Sequence, residues 1–476
     1  MFHNSTLRRL TLCGLLLTAA TSCDVLTQDV PTALTKEDAF ANATKIQQTA
    51  IGMYDQLQNA EFLGGRALIY SDIRSDDTNP ASFFGNIGTL NPLAGDGTVL
   101  LAWTGGYRSL YGANFFLQEI AKNSGKVPAA LEANYIGEAK FIRALIYFHL
   151  VNLWAQPYNF TPDASHPGVV LQLTAPDAGT AFDDSQSKPR ATVKQVYTQM
   201  ETDLTDAIAA LPETYATDFE KTGRATKDAA RTLLSRIYLY EGRYADAAAM
   251  AGTVISGGRH SLGASPAVPF TAATFNNPES IFSVAMNVND NPNTNNALGQ
   301  HYLKRADISV NPYALIPLSQ FPLADRRRTL LLLPTAVPAS TTSPLIFTQK
   351  YKEASADYVP IARYAETLLN RAEGLAQTAT GVSPEAITLL NQVRDRSKPA
   401  TSASYTVADF ADKNALIEAI LLERRLELAF EGHRYYDLMR YKRNSSRVNY
   451  GADRAILPIP LVDIQQNSRL VQNPGY

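Results

Sequence analysis

The stretch that most limits how this chain can fold is "RTLLSRIYLYEGRYADAAAMAGTVISGG", residues 231–258. Apolar residues recur at three- and four-residue steps on both sides of Gly242, and a glycine pair closes the run. That spacing predicts two antiparallel helices of about 12 residues each, joined by a tight turn at Gly242. Its alanines and glycines would let the helices approach closely. A second pair is predicted from "IARYAETLLNRAEGLAQTATG" and "SPEAITLLNQVRDRS", where Ser383 is placed to cap a helix whose first turn holds Pro384 and Glu385.

Two more periodic segments extend the helical reading. In "EANYIGEAKFIRALIYFHLVNLWA" the residues Tyr135, Ala139, Ile142, Ile146, Leu150 and Leu153 share one face, which predicts an amphipathic helix. In "TVKQVYTQMETDLTDAIAALP" the face is Val193, Val196, Met200, Leu204, Ile208 and Leu211, stopped by Pro212. The helix pairs are close in pattern to degenerate tetratricopeptide repeats, two-helix units of about 34 residues. The expected fold class is therefore all-α, with tetratricopeptide-like pairs as scaffold and a few short strands such as "SIFSVAMNV". Two stretches, about 60–105 and 260–350, lack periodicity and are rich in Gly, Pro, Asn and Thr. Insertions of that length usually carry function.

The N-terminus predicts export. Arg8 and Arg9 precede "LTLCGLLLTAA", an apolar run too short to span a bilayer but suited to a secretory signal, and small residues lead to Cys23. The form is that of a bacterial lipoprotein signal, with Ala20 where leucine is commoner, so residues 1–22 are expected to be removed and Cys23 lipidated. The other cysteine, Cys13, falls in the leader, which leaves no disulfide; an exported chain of this size needs none. With 43 basic and 45 acidic residues the surface is near neutral, which argues against nucleic acid as a partner. Attachment to the membrane would come through acyl chains, worth about 0.8 kcal/mol per buried methylene.

Motifs for catalysis are sparse. The six histidines, at 3, 149, 166, 260, 301 and 433, show no metal-ligand spacing, and the zinc-protease and phosphate-loop patterns are absent. "RHSLG", 259–263, lacks the first glycine of a nucleophile elbow. Asp76 and Asp77 in "SDDTNP" have the chemistry of glycosidase carboxylates or calcium ligands, but adjacent acids before Asn-Pro read as a capped turn. "EGHRYYDLMRY", 431–441, is denser: His433, Asp437 and Arg440 fall at four- and three-residue steps on one helical face. A hydrolytic site needs a nucleophile in reach and a metal site needs more ligands, so neither catalysis nor a metal or cofactor is expected. Upstream, Ile417, Leu421, Leu422 and Leu426 are expected to face inward, with Arg424 and Glu427 pairing on the outside.

Six segments in order carry a family resemblance: "SCDVLTQDVPTALT", "GEAKFIRALIYFHLVNLWA", "RATVKQVYTQMETDLTDAIAALP", "KYKEASADYVPIARYAETLLNRAEGL", "LLERRLELAFEGHRYYDLMRY" and "ILPIPLVDIQQNSRLVQNPGY". From Cys23 to Tyr476 the chain resembles the SusD/RagB family of nutrient-binding outer-membrane lipoproteins of Bacteroidetes. The resemblance implies one SusD-like domain over 23–476, with a helical part at about 33–260, ligand-side insertions at about 60–105 and 260–350, and a second helical part at about 351–476. It implies a non-catalytic receptor, lipid-anchored to the outer membrane and facing the exterior. Such a receptor captures oligosaccharide, or peptide, and hands it to a SusC-like TonB-dependent transporter. It also makes 431–441 a scaffold signature, so Arg434, Asp437 and Arg440 are expected to brace helix ends. The alternative from the helix pairs alone is a protein adaptor or peptide-binding lipoprotein with no glycan ligand.

The insertions decide between these readings, because sugar capture needs flat rings and planar amides. "NPASFFGN" and "NVNDNPNTNNALGQHYLKR" supply both. The candidate ligand residues are Phe83, Phe84, Asn295, Asn296, His301 and Tyr302, with Trp103 half exposed at the start of its helix. Trp103 and Tyr107, four apart, otherwise read as packing residues.

Overall fold

The structure is a computed structural model, and it describes residues 35–177, 179–180, 183–271, 275–293, 295–333 and 345–476; the leader and Cys23 lie outside the described residues. The main helices are α1 (Ala43–Asp55), α2 (Arg66–Arg74), α3 (Gly97–Lys122), α4 (Ala129–Trp154), α5 (Val193–Ala210), α6 (Lys227–Glu241), α7 (Tyr244–Ser256), α8 (Tyr364–Thr378), α9 (Pro384–Arg394), α10 (Lys413–Glu427), α11 (Arg434–Arg440) and α12 (Leu461–Gln466). Strand is confined, among the described residues, to two antiparallel pairs: β1 (Asn79–Pro80) with β3 (Ile308–Ser309), and β2 (Ser280–Val284) with β4 (Val359–Arg363).

The predicted helix pairs are present. Gly242 takes the left-handed conformation at φ +74°, which only glycine adopts without cost, and it turns α6 into α7. Ser383 accepts from the Ala386 amide and Pro384 follows at the first helical position of α9. The close approach made possible by small residues falls between α7 and α8. A Cβ on Gly374 would lie 2.5 Å from the Tyr244 carbonyl. α8, α9 and α10 bury a separate cluster that includes Leu368, Leu390 and Ile420.

α4 is not the amphipathic helix its spacing predicts. Every residue from Phe141 to Trp154 is buried, so this half is the central rod of the larger core. Buried polar groups along it are answered by neighbours. Arg143 forks onto Asp203 of α5 at 2.8 and 2.6 Å and donates to Asn114 of α3 at 3.1 Å, so one side chain ties three helices together. At the far end the Trp154 indole donates to the Pro458 carbonyl at 3.0 Å. α5 opens with a capping box between Thr192 and Gln195.

The insertion at 60–105 is more ordered than its composition implies. All nine residues of α2 are buried, and α3 already begins at Gly97. The polar residues that hide α2 from a periodicity search meet distant backbone. Ser71 donates to the Gly432 carbonyl and Arg74 to the Ala455 carbonyl.

The C-terminal signature also departs from expectation. α10 ends at Glu427, and positive φ at Phe430 and Gly432 breaks the chain before α11. Ile417, Leu421 and Leu426 are buried, Leu422 only in part, and Arg424 and Glu427 do not pair on the outside because both are themselves buried. Arg424 donates to Asp437 and Asn370. Glu427 accepts from Arg363 and Arg396.

Candidate functional site

Two loops more than 200 residues apart are joined by the β1–β3 pair, in which Asn79 faces Ser309 and Pro80 faces Ile308. The Ala81 amide extends the pairing with a 2.6 Å bond to the Asp307 carbonyl. This sets the turn Ser82–Phe84 against the π-helical turn Gln300–Lys304. Single π turns are uncommon and cluster at functional positions.

In the tight turn Phe83 and Phe84 diverge. Phe84 is buried, while 43% of Phe83 is exposed. Their rings meet edge to face at 5.3 Å, and the His301 imidazole lies 5.1 and 5.0 Å from the two centroids. The Arg305 guanidinium sits 4.1 Å from the Phe83 centroid and Arg66 sits 5.2 Å away. Arg305 is itself fixed by Asp307 and by the Asn295 side-chain oxygen, each at 2.7 Å. Arg66 donates to the Asn295 carbonyl at 2.7 Å. The result is a half-exposed ring clamped by cations, with the exposed Asn295 amide at its margin.

Six of the seven predicted ligand residues therefore gather in one neighbourhood, but they do not all face solvent. Asn296 is buried and donates to Glu61 at 2.7 Å. Tyr302 is fully buried and donates to Asp72 at 2.7 Å. His301 is buried too, with Nδ1 2.8 Å from Asp307. Burial, reinforced by Arg66, pushes its pKa down to about 4, so it is neutral at pH 7. These three residues, with Phe84, shape and support the surface, and Phe83, Asn295 and Arg305 present it.

Trp103 does not join this neighbourhood. It is 4% exposed rather than half exposed, lies within α3, and packs 4.7 Å from Tyr107 and 5.2 Å from Trp154. Arg66, Arg305 and Asp307 were not foreseen. "HYLKRADIS" hints at Arg305 beside the amide-rich loop, whereas nothing local to Arg66 marks it.

The crowded segment at 431–441 is paired inward. Asp437 accepts from Arg440 at 2.8 Å and from Arg424 at 3.1 Å, and Arg440 also forks onto Glu373. Burial alone would raise the Asp437 carboxyl, but Arg424 and Arg440 outweigh it and hold it well below the usual range. Arg434 is not part of this cluster. Its partner is Asp76, at 2.8 and 3.0 Å, and Arg425 takes Asp77. The paired acids of "SDDTNP" are thus each matched by an arginine. Among the described residues no three His, Cys, Asp or Glu side chains converge as metal ligands, and no helix is long and apolar enough to cross a membrane.

Comparison with known proteins bears on this arrangement. The sequence profile of a family described as starch-binding and associating with the outer membrane matches residues 27–239, and the profile of the SusD family matches 346–455. The chain belongs to the SusD family. Its SusD-like relatives include protein P25 of Formosa agariphila, 25% identical over 536 residues that cover 96% of this chain and 97% of the relative. Protein P2 of the same organism is 26% identical over 532 residues, covering 98% and 99%. A SusD superfamily protein from Bacteroides fragilis superposes with a TM-score of 0.78 at 28% identity, covering 91% of this chain and all of that one. A SusD-like carbohydrate binding protein from Bacteroides vulgatus, 20% identical, shares the fold with a TM-score of 0.73 over 90% of this chain and 97% of that one. The all-α scaffold with two small sheets is the SusD-like helical fold.

Proposed function

We propose that this SusD-family chain is a non-catalytic receptor of the outer membrane that binds oligosaccharide and delivers it to a TonB-dependent transporter. The observation that carries the binding reading is Phe83: a ring exposed over 43% of its surface, held in place by Arg305 and Arg66, with the Asn295 amide beside it. An exposed aromatic ring suits the apolar face of a sugar, and a fixed planar amide suits its hydroxyls. Family membership supports the location, and Cys23 would be the lipidated residue. The single domain expected over 23–476 is kept in this reading.

The adaptor alternative has less support. The faces of α7 and α8 are spent on each other through Gly374 and Ala248, and α8 is also packed by α9 and α10. A peptide cargo in place of a glycan is a matter for the same binding assay.

Calorimetry against a panel of oligosaccharides and peptides, with wild type and Phe83→Ala at matched folding, tests the site. Binding of a glycan that weakens several-fold in the variant is the expected result; unchanged affinity would remove Phe83 from the site. Delivery is tested by co-purification in mild detergent, which should recover a TonB-dependent transporter in near-equal amounts. Anchoring is tested with Cys23→Ala, which should become soluble in a strain lacking that transporter.

A further inference from the structure

A large concavity lies apart from the Phe83 surface. It is a groove of about 770 Å³ between the first half of α3, the stretches 170–176 and 183–187, and α12. That volume is within the range of small-ligand sites, roughly 300–1,000 Å³. We propose that this groove is a second binding site of the protein and takes a neutral oligosaccharide.

The aromatic wall comes from α3, where Trp103, Tyr107 and Tyr111 recur at four-residue steps and so line one face. Trp103 forms the floor against Trp154. Tyr107 is tied down by donating to the Val170 carbonyl at 2.9 Å. Tyr111 stands at the rim, 45% exposed and stacked at an interplanar angle of 13° on Phe115. The wall therefore runs from a rigid floor to an open ring, as a sugar chain entering from solvent requires.

The opposite wall is polar. Gln172 and Gln186 are bonded to one another at 3.1 Å, and Asn467 donates to the Lys188 carbonyl, so these amides are fixed in direction. Asp183, Ser187 and Gln466 line the groove with side chains that no protein group among the described residues engages. Asp463 is half-buried, and burial raises its carboxyl above the ordinary range although the nearby Trp103 indole opposes the shift. Fixed amides plus unengaged hydroxyl, amide and carboxylate groups facing a ring ladder are the donors and acceptors a polyhydroxylated ligand uses.

Charge narrows the class. The lining holds two carboxylates, Asp183 and Asp463, and no lysine, arginine or histidine. An acidic or sulfated sugar would bring a third negative charge to a site with no cation to meet it. A neutral sugar instead has its hydroxyls accepted by those carboxylates. The choice of glycan as the probe rests on the oligosaccharide reading above, but the residues are different and the readout separates the two.

The readout is built in. The chain has two tryptophans: Trp103 lines this groove and Trp154 packs behind it with ring centroids 5.2 Å apart, whereas the Phe83 surface has none. Intrinsic tryptophan emission therefore reports groove occupancy and calorimetry reports all binding. The probes are the neutral hexaoses of malto-, cello-, xylo-, manno- and laminari- type, with hexagalacturonate as the acidic comparison. At least one neutral hexaose should shift the emission saturably in wild type and equally in Phe83→Ala, and hexagalacturonate should not. Tyr111→Ala, at a position exposed enough to leave folding intact, should raise the half-saturation concentration about fivefold, the factor expected for one stacked ring. Gln466→Ala should raise it about twofold to threefold for one lost hydrogen bond. A hexaose that binds by calorimetry, is lost in Phe83→Ala and leaves the emission unmoved overturns the groove while the Phe83 site stands. An emission shift unchanged in both Tyr111→Ala and Gln466→Ala, or no shift with any neutral hexaose, also overturns it.

Discussion

The segment around Asp437 and the surface around Phe83 are built from the same kinds of side chain, an arginine or two, an aromatic ring and a histidine, yet they do opposite work. Around Asp437 each buried carboxylate has a cationic partner. Asp437 has Arg424 and Arg440, Glu373 has Arg440, Glu427 has Arg363 and Arg396, and Glu431 has Lys350 and Arg363. Around Phe83 the ion pairs are also closed, Arg305 on Asp307 and Arg66 near Glu61, but an aromatic ring is left half in solvent. What sets the proposed binding surface apart is the surplus, an apolar ring that the fold holds in place without covering. The density of polar groups does not mark it. Exposing such a ring forgoes the stabilisation its burial would bring, roughly 25 cal/mol per Å² of apolar surface.

The comparison is broken most severely at Asp437. Asp437→Ala leaves Arg424 and Arg440 buried with Asn370 and Glu373 as their remaining partners. Removing one member of a buried pair typically costs 3–5 kcal/mol, so chemical denaturation should show a loss of roughly 3 kcal/mol. Ligand affinity per folded molecule should be unchanged. A drop in affinity with stability intact would mean that the Asp437 cluster touches ligand after all.

A titratable group lies between the two regions and gives the next largest effect. Asp72 sits under both, accepting from Tyr302 of the Phe83 neighbourhood and from the Gly432 amide ahead of α11. Burial pushes its pKa up to about 7, although both of those bonds oppose the shift. An unfolded Asp titrates near 3.9, so between about pH 4 and 7 the folded protein holds a proton that the unfolded chain has lost. Stability from this group therefore falls as pH rises through that window. Asp437 has the reverse sign, since its folded pKa is depressed, and its contribution is present above about pH 4 and lost in acid. Asp72→Asn should flatten the pH dependence and make the variant more stable than wild type above pH 7, on the order of 1–3 kcal/mol. A variant less stable than wild type at pH 8 would show that Asp72 is needed as a charge.

Arg434 tests where the brace ends. Its pair with Asp76 is partly exposed, with 17% and 19% of the two side chains accessible, so Arg434→Ala should cost about 1 kcal/mol or less. A loss equal to that of Asp437→Ala would put Arg434 back in the buried cluster.

How far these distinctions could be read in the sequence follows from the range of the forces that set them. The α6–α7 turn and the start of α9 were legible because Gly242, Ser383 and Pro384 act on their own backbone within a few residues. The full burial of α4 from Phe141 to Trp154 was not, since a period of 3.6 reports one face and the other is covered by distant chain, as at Trp154 and Pro458. Arg434, expected to brace with Asp437 and Arg440, falls outside their cluster for a similar reason. Asp437 is three residues away on the same helix, but Asp76, 358 positions upstream, is the one its guanidinium meets. For the proposed ligand face, the absence of any period around Phe83 and Phe84 pointed to a ring left uncovered, and Phe83 is exposed over 43% of its surface. Which one depended on a tight turn and on Arg66 and Arg305, neither of which is encoded locally. Trp103 followed its helical spacing and packed.

The smallest effect on stability belongs to Phe83, and it sharpens the comparison most. The ring is half exposed and its neighbours are anchored independently: Arg305 keeps Asp307, Arg66 keeps the Asn295 carbonyl, and Phe84 remains in the core. Phe83→Ala should therefore change stability by roughly 0.5 kcal/mol or less, as for most exposed positions, with part of that from the lost contact with the Arg305 guanidinium. Affinity for a stacked glycan should nevertheless fall by about threefold to tenfold, because a ring held in advance loses little entropy on binding and its contact is worth roughly 0.5–1.5 kcal/mol. Phe83→Tyr keeps the ring and should keep most of the affinity. The pairing of unchanged stability with lost binding at Phe83, against lost stability with unchanged binding at Asp437, separates site from brace. If Phe83→Ala loses several kcal/mol of stability and no affinity, its exposed ring is part of the scaffold and the two regions are alike.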